Sequence, residues 1–356
     1  MILRRYIALN LVRGWLLTLV ILASIFGLIT FMQELDRTRF DYDGLAVARY
    51  ILMTLPQQMI SLSPVIALLG SMVALSRLYQ SRELTVMFCS GFSPARLLGA
   101  IAVPTLLLMA LLWICMEFVT PQLQQSAEHQ RHELRYPDQV RIPDGGIWAT
   151  SGGRYTHLGK MFKGSEPGDI DIFEFDEEGR LQRALHARRA EVIEGRRWLL
   201  KRVREKRLVD GTLVTRRYRE LEIENLWASD ELPTLTLSPE AMSLSVLYRY
   251  ARYVSTSDQP AEAYHNQFWQ KLMMPLTVAA MVLLATPISA GTGSGRDRSF
   301  GVKIAIGAVV GILFYLGAQI VFALGQLMKL SPPLIALLPA VIVTLCAAFL
   351  LRRMLA

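Results

Sequence analysis

Six stretches of this chain are apolar for long enough to cross a lipid bilayer, and nothing else in the sequence limits its possible folds so strongly. They run from about Gly14 to Met32, Tyr50 to Leu75, Leu97 to Met116, Leu272 to Ala290, Ile304 to Leu327 and Leu330 to Leu351. A hydrocarbon layer of ~30 Å needs ~20 apolar residues in a helix, and each run meets that length. No run carries a charge at its middle. Lipid offers no hydrogen bonds to the backbone, so each run must satisfy its own peptide groups and is expected to be a helix. The first run follows Arg4 and Arg5 as a secretory signal would. It is longer than a signal-peptide core and no A-x-A site follows it, so it reads as a retained membrane helix.

The net charge of +8 would suggest a nucleic-acid partner if it were spread evenly. Residues 119–267 hold 22 Lys and Arg against 23 Asp and Glu, so the whole excess lies beside the apolar runs. Its distribution reads as membrane topology. Arg4, Arg5, Arg13, Arg77, Arg82, Arg96, Arg296, Arg298, Lys303, Arg352 and Arg353 fall on one side, and only Arg37, Arg39, Arg49 and Lys329 on the other. By the positive-inside rule both termini and the Ser76 to Leu97 stretch are cytoplasmic, and the polar block between runs three and four is extracytoplasmic. The expected organisation is a membrane α-helical bundle of six transmembrane helices with an inserted antiparallel β domain. Residues 1–118 hold the first three helices and a cytoplasmic helix at 77–97, residues 119–267 the extracytoplasmic domain with flanking helices, and residues 268–356 the last three.

Residues 120–136 are polar and helical in pattern. Their His129-Gln-Arg-His132-Glu133 has the wrong order for a zincin helix, so no metal site is expected. From about Val140 the texture becomes β. Turn signals at Glu177-Glu-Gly179, Glu194-Gly195 and Asp210-Gly211 separate candidate strands at Leu181 to Ile193, Trp198 to Val209 and Leu213 to Leu226. The basic run Arg188, Arg189, Arg196, Arg197, Arg202, Arg204 and Arg207 alternates with Glu191, Glu194 and Glu205, and reads as a solvated strand face before an anion site. Leu244 to Ser255 reads as a helix returning to the membrane. The three cysteines lie in or near membrane runs, so no disulfide framework is expected. Gly291 to Asp297 lacks the lysine of a phosphate-binding loop and reads as a cytoplasmic turn.

Pro56 and Pro64 bracket Gln57 and Gln58 in the second run, which therefore should be kinked and packed inside a bundle. Gly307 and Gly311 form a G-x-x-x-G pair suited to close helix contact. Lys271 should snorkel to the interfacial belt beside Phe268 and Trp269. The break between runs two and three is too long for a simple turn, and Leu84, Met87 and Phe88 share one helical stripe beside Arg82 and Glu83. No nucleophile and base pair, mid-membrane ionisable group or nucleotide motif is present, so the chain reads as a membrane subunit driven by a separate cytoplasmic ATPase.

The segment order, with R-E-L-x-x-M-x-x-x-G at Arg82 to Gly91 and F-W-x-K-x-x-x-P-L at Phe268 to Leu276, resembles the YjgP/YjgQ permease family. That family comprises the F and G subunits of the lipopolysaccharide export system, and Gly146-Ile-Trp148 looks more like the G type. The resemblance implies a bacterial inner-membrane protein paired with an F-type permease on a dimeric ABC ATPase, possessing a periplasmic β-jellyroll that hands lipopolysaccharide to jellyroll bridge proteins. A single-span regulatory subunit belongs to the same system. ATP and Mg are used by the ATPase, so no cofactor is expected on this chain and it is not an enzyme by itself. The resemblance assigns Glu83 to ATPase contact within a coupling helix that includes Arg82, Leu84, Met87, Phe88 and Gly91. It assigns Arg37 and Arg39 to the phosphorylated headgroup; without a partner they read as interfacial residues neutralised by Glu34, Asp36, Asp41 and Asp43. A cavity lined by spans one, two and five is expected to hold acyl chains against Phe26, Ile29, Phe314 and Phe322. The alternative is a non-transporting scaffold or mechanotransmission subunit coupled to the same kind of ATPase.

Overall fold

The computed structural model describes residues 2–35, 43–91, 93–135, 139–140, 146–151, 154–162, 166–176, 180–193, 197–209, 212–224, 239–256, 262–290 and 300–355. Arg37, Arg39, Arg196, the three turn signals and the 291–297 turn lie outside them. The first half contains α1 (Ile2–Leu35), α2 (Gly44–Ser61), α3 (Ser63–Gln80), α4 (Glu83–Cys89), α5 (Pro94–Ile114) and α6 (Thr120–Arg135). The second contains α7 (Leu244–Thr256), α8 (Glu262–Ala290), α9 (Phe300–Leu327) and α10 (Pro332–Leu355). Five helical segments are long and apolar enough to cross a membrane, and the bent pair α2 and α3 makes a sixth span.

The second run breaks where its prolines direct. Pro64 has no N–H to continue the ladder and sits instead in the first turn of α3, where none is needed. The axis turns by 72° at Leu62. Twelve of the eighteen residues of α3 are buried, in keeping with the packed position expected for it. It meets α1 at a close glycine crossing. A Cβ on Gly70 would stand 2.7 Å from the Trp15 backbone and 2.8 Å from the Gly14 carbonyl, and Trp15 Nε1 donates to Ser71 Oγ at 2.9 Å beside it. Gly307 and Gly311 bring α9 against Met72 and Val65 of α3, the close contact their spacing suggests. Helix α8 is central, with 61% of its spanning window buried against 11% for α1 and α9.

Helix α5 passes through a π turn at Cys115–Val119, where Thr120 N–H bonds back to Cys115 O, and continues as α6. Arg131 of α6 reaches back to the outer end of α1, with Nε 2.6 Å from the buried Glu34 carboxylate and its guanidinium stacked 4.9 Å from the Tyr50 ring of α2.

Among the described residues the inserted domain is one antiparallel sheet of seven strands. Strands β3 (Arg154–Phe162), β4 (Glu166–Phe175), β5 (Leu181–Ile193), β6 (Arg197–Val209) and β7 (Thr212–Ile223) run as a meander, and β1 (Gln139–Val140) and β2 (Ile147–Ser151) both pair with the free edge of β3. Its inner face buries Leu158, Ile170, Ile172, Leu185, Ala187, Trp198, Leu200 and Val203. One row crossing the sheet breaks the alternation of faces. Asp169 and Arg202 have left-handed φ of 55° and 57°, and the pairings place both opposite Arg188. Such a conformation costs a side-chain-bearing residue about 1–2 kcal/mol. Beyond the row the inward positions shift by one residue, from Ala187 to Ala190 and from Leu200 to Val203, so the sheet folds along it.

The inner face ends in a charged ladder. Arg154 Nη2 lies 2.9 Å from Glu174, Arg183 3.6 Å from Glu174, and Arg183 Nε 2.6 Å from Glu205. Burial alone would raise the Glu205 pKa, but hydrogen bonds from Tyr218 and Arg183 and the charges of Arg183 and Arg207 outweigh it and hold the carboxyl below its ordinary value. Because the folded pKa is depressed, this contribution is complete above the unfolded value of ~4.3 and is lost as pH falls through the folded one. Glu205→Gln should therefore cost about 1.5–3 kcal/mol at pH 7. The difference from the parent should shrink under acid, read as hydrogen exchange at β5 and β6 in the intact protein. An unchanged difference at low pH would remove the charge from the explanation.

Candidate functional site: a coupling face and a membrane cavity

At the end of α3, Ser81 Oγ donates to Arg77 O at 3.1 Å, closing the helix. Arg82 turns the chain with its left-handed φ of 56°, α4 runs for seven residues, and Gly91 turns it again at φ 89°. Ser93 then caps α5 through its side chain, and Arg96 Nη1 returns to Gly91 O at 3.2 Å. Leu84 is fully buried and Met87 nearly so, with Phe88 packed against the same core as Leu75, Leu78 and Leu97. The apolar stripe marked in the sequence therefore fastens α4 to the bundle. What it presents outward is Arg82, Thr85, Val86 and Cys89, with Val86 66% exposed. Glu83 is half-buried and accepts a 2.8 Å hydrogen bond from Tyr6 OH, which ties α4 to the start of α1.

A cavity of about 530 Å³ opens among α1, α2, α8 and α9. Phe26, Ile60, Met116, Met274 and Phe322 give it apolar walls. Its other wall is made of amides: Gln57, Gln58, Gln124, Gln267, Gln270 and Gln319. Gln58 Nε2 donates to Thr30 Oγ1 at 3.3 Å and Gln124 Nε2 to Glu128 Oε1 at 2.9 Å, yet the Oε1 atoms of both are buried without a hydrogen-bond partner. The amide groups that do line the cavity can both donate to and accept from a ligand bearing hydroxyl or amide groups. Lys271 stands at the cavity edge. It does not snorkel: only 3% exposed, it donates to Glu240 O at 2.8 Å and Met242 O at 2.7 Å, because these chain-return carbonyls lie within its reach. Glu117, just inside the π turn, accepts from Ser245 N at 3.2 Å at the start of α7.

Of the four acyl-chain residues expected from the sequence, Phe26 and Phe322 line this cavity. Ile29 is 44% exposed on α1, and Phe314 packs against the cluster of Leu68, Met72 and Met281. Arg37 and Arg39 lie outside the described residues. Two of their four acidic neighbours are engaged elsewhere, Glu34 with Arg131 and Asp43 as the N-cap of α2 through Ala46 N. The amide wall was partly announced by Gln57, Gln58 and Gln319 inside apolar runs. Tyr6 and Gln124 gave no such signal, since each becomes part of the site only through packing.

A family model described as the lipopolysaccharide export system permease LptF/LptG matches residues 5–353. The chain is 31% identical to the lipopolysaccharide export system permease protein LptG of Escherichia coli strain K12, over 99% of this chain and 98% of the relative. It is 27% identical to the LptG protein of Haemophilus influenzae, over 98% of both.

Proposed function

Since the chain belongs to the LptF/LptG family of lipopolysaccharide export permeases, we propose that it draws lipopolysaccharide from the outer leaflet of the inner membrane into the α1, α2, α8 and α9 cavity and passes it to its β domain. The observation that carries this reading is the two-natured cavity wall. Phe26 and Phe322 face acyl chains, while the glutamine side chains of the other wall meet the hydroxyl and amide groups of an acylated amino sugar. About 530 Å³ is the scale of a small-ligand site and well short of a glycolipid with several acyl chains. An F-type permease supplies the facing wall in this proposal, and the largely unburied α1 and α9 are where it would sit.

In the same reading a dimeric ABC ATPase, using ATP and Mg, docks on the outward face of α4. Its closure moves Glu83 and, through Tyr6, α1. Arg37 and Arg39 meet headgroup phosphates at the outer end of α1. Jellyroll bridge proteins receive the lipid from the β domain, and a single-span subunit regulates the cycle. A photocrosslinker at Phe322 in the assembled transporter tests the proposal. It should yield a lipopolysaccharide adduct that disappears on adding ATP, and Glu83→Ala should make the adduct persist in ATP. No adduct in any nucleotide state would remove lipid from this cavity and favour the scaffold alternative.

A further inference from the structure

The fold line across the β domain gathers more positive charge than the domain neutralises. We propose that the outer face of the sheet at this line, lined by Lys160, Asp169, Arg188, Arg189, Lys201 and Arg202, is a binding pocket for a phosphorylated sugar. It is a depression of about 640 Å³, with His186 and Phe162 completing its wall.

The backbone explains why the cations collect there. Successive residues of a strand ordinarily point to opposite faces. At the fold line the alternation slips, so that Arg188 and Arg189 both point outward on β5, and Lys201 and Arg202 both line the same depression on β6. Arg189 is paired with Lys201 across the ladder, and Arg188 lies opposite Arg202. Two like-charged pairs directly opposite one another oppose folding. Elsewhere on the sheet several cations are matched, Arg154 by Glu174, Arg183 by Glu205 and Arg197 by Glu222, although Arg204 also faces Arg217; only at the fold line do such cations gather around one depression among the described residues. In the depression Lys201 has Glu191 at 2.6 Å, Lys160 has Asp169 at 3.7 Å, and Arg189 lies 4.7 Å from the centre of the Phe162 ring. Arg188 and Arg202 have no hydrogen-bond or ion-pair partner among the described residues, and both are exposed.

Arg202 also holds a left-handed backbone conformation that glycine would adopt without penalty. An arginine with no side-chain partner among the described residues, kept at a strained position and facing another across the ladder, is an arrangement that a bound dianion relieves. Two guanidiniums offer the forked donors that phosphate oxygens accept. A single phosphate would leave most of the depression empty, whereas a sugar carrying one or two phosphates occupies it and can stack its ring edge on Phe162.

The full-length protein in detergent is titrated calorimetrically with glucose 1,6-bisphosphate, with glucose, and with phosphatidylglycerol vesicles. Saturable binding of the bisphosphate, absent with glucose and weakened at least tenfold by Arg202→Gly, is the expected result. That substitution suits the local backbone, so lost binding cannot be ascribed to misfolding, and Arg188→Gln should act in the same direction. Bisphosphate binding indifferent to both substitutions, or substitution-sensitive binding to the vesicles alone, overturns the proposal. Purified lipopolysaccharide before and after phosphatase treatment identifies the source: sensitivity of its binding to Arg202→Gly and to dephosphorylation assigns the phosphates to the glycolipid, and binding of the soluble sugar alone assigns them to a free sugar phosphate. Binding is read without export, so this site and the cavity proposed above stand or fall separately.

Discussion

Gly70→Ala is expected to lower the thermal unfolding midpoint of the detergent-solubilised protein by roughly 5 °C or more, and Gly70→Leu to abolish a monodisperse species on size exclusion. In an ordinary helix Gly→Ala is stabilising by up to ~1 kcal/mol. Here the new methyl meets the Trp15 backbone at 2.7 Å and the Gly14 carbonyl at 2.8 Å, and neither is the end of a flexible side chain that can swing away. Helices α1 and α3 must separate, which strips the Trp15 to Ser71 hydrogen bond and loosens contacts around Ile7, Leu11 and Leu75. Overpacking of this kind costs about 1–3 kcal/mol where side chains can adjust, and more where backbones collide. Gly317→Ala is the matched control, since a Cβ there has no neighbour within 4 Å. Equal behaviour of the two substitutions would mean that the crossing is not close-packed.

Lys271→Met should be nearly as damaging, for a different reason. Methionine fills the space of the lysine stem but leaves the Glu240 and Met242 carbonyls without their donor. An unsatisfied buried group costs about 1–3 kcal/mol, and since the Met242 carbonyl is buried and that of Glu240 only partly so, a loss of about 1–3 kcal/mol is expected. The damage should be local, seen as faster hydrogen exchange of residues 239–247, where the chain re-enters the membrane domain. Export should fall with it, because the same lysine borders the cavity. Unchanged exchange in that segment would show that the two hydrogen bonds contribute little.

The bundle was legible because lipid leaves the backbone few choices. Six apolar runs suffice to give six spans, and of the two prolines marked as kinking the second run it is Pro64 that lies at the bend, while α2 runs on through Pro56. The strands expected from turn chemistry at 181–193, 198–209 and 213–226 appear at 181–193, 197–209 and 212–223. The short strands β1 and β2 and the fold line were not expected, since Asp169 and Arg202 occupy a conformation their residue types do not advertise. At α4 the spacing of Leu84, Met87 and Phe88 correctly marked one face. Periodicity does not say whether an apolar face meets a partner or its own core, and here it meets the core. Lys271 was misplaced for a similar reason: its carbonyl partners lie some thirty residues earlier in sequence, beyond any local pattern.

Helix α1 touches every part of this account. It is continuous from Ile2 to Leu35, which at 1.5 Å per residue makes a rod about 51 Å long. Its inner end is joined to Glu83 through Tyr6, its flank supplies Phe26 to the cavity, and its outer end is clasped by Arg131 on the stalk leading into β1. An axial shift imposed at Glu83 would therefore be carried along α1 to its contact with Arg131 on α6, the helix that precedes β1. The inner and outer ends of such a rod cannot keep separate time.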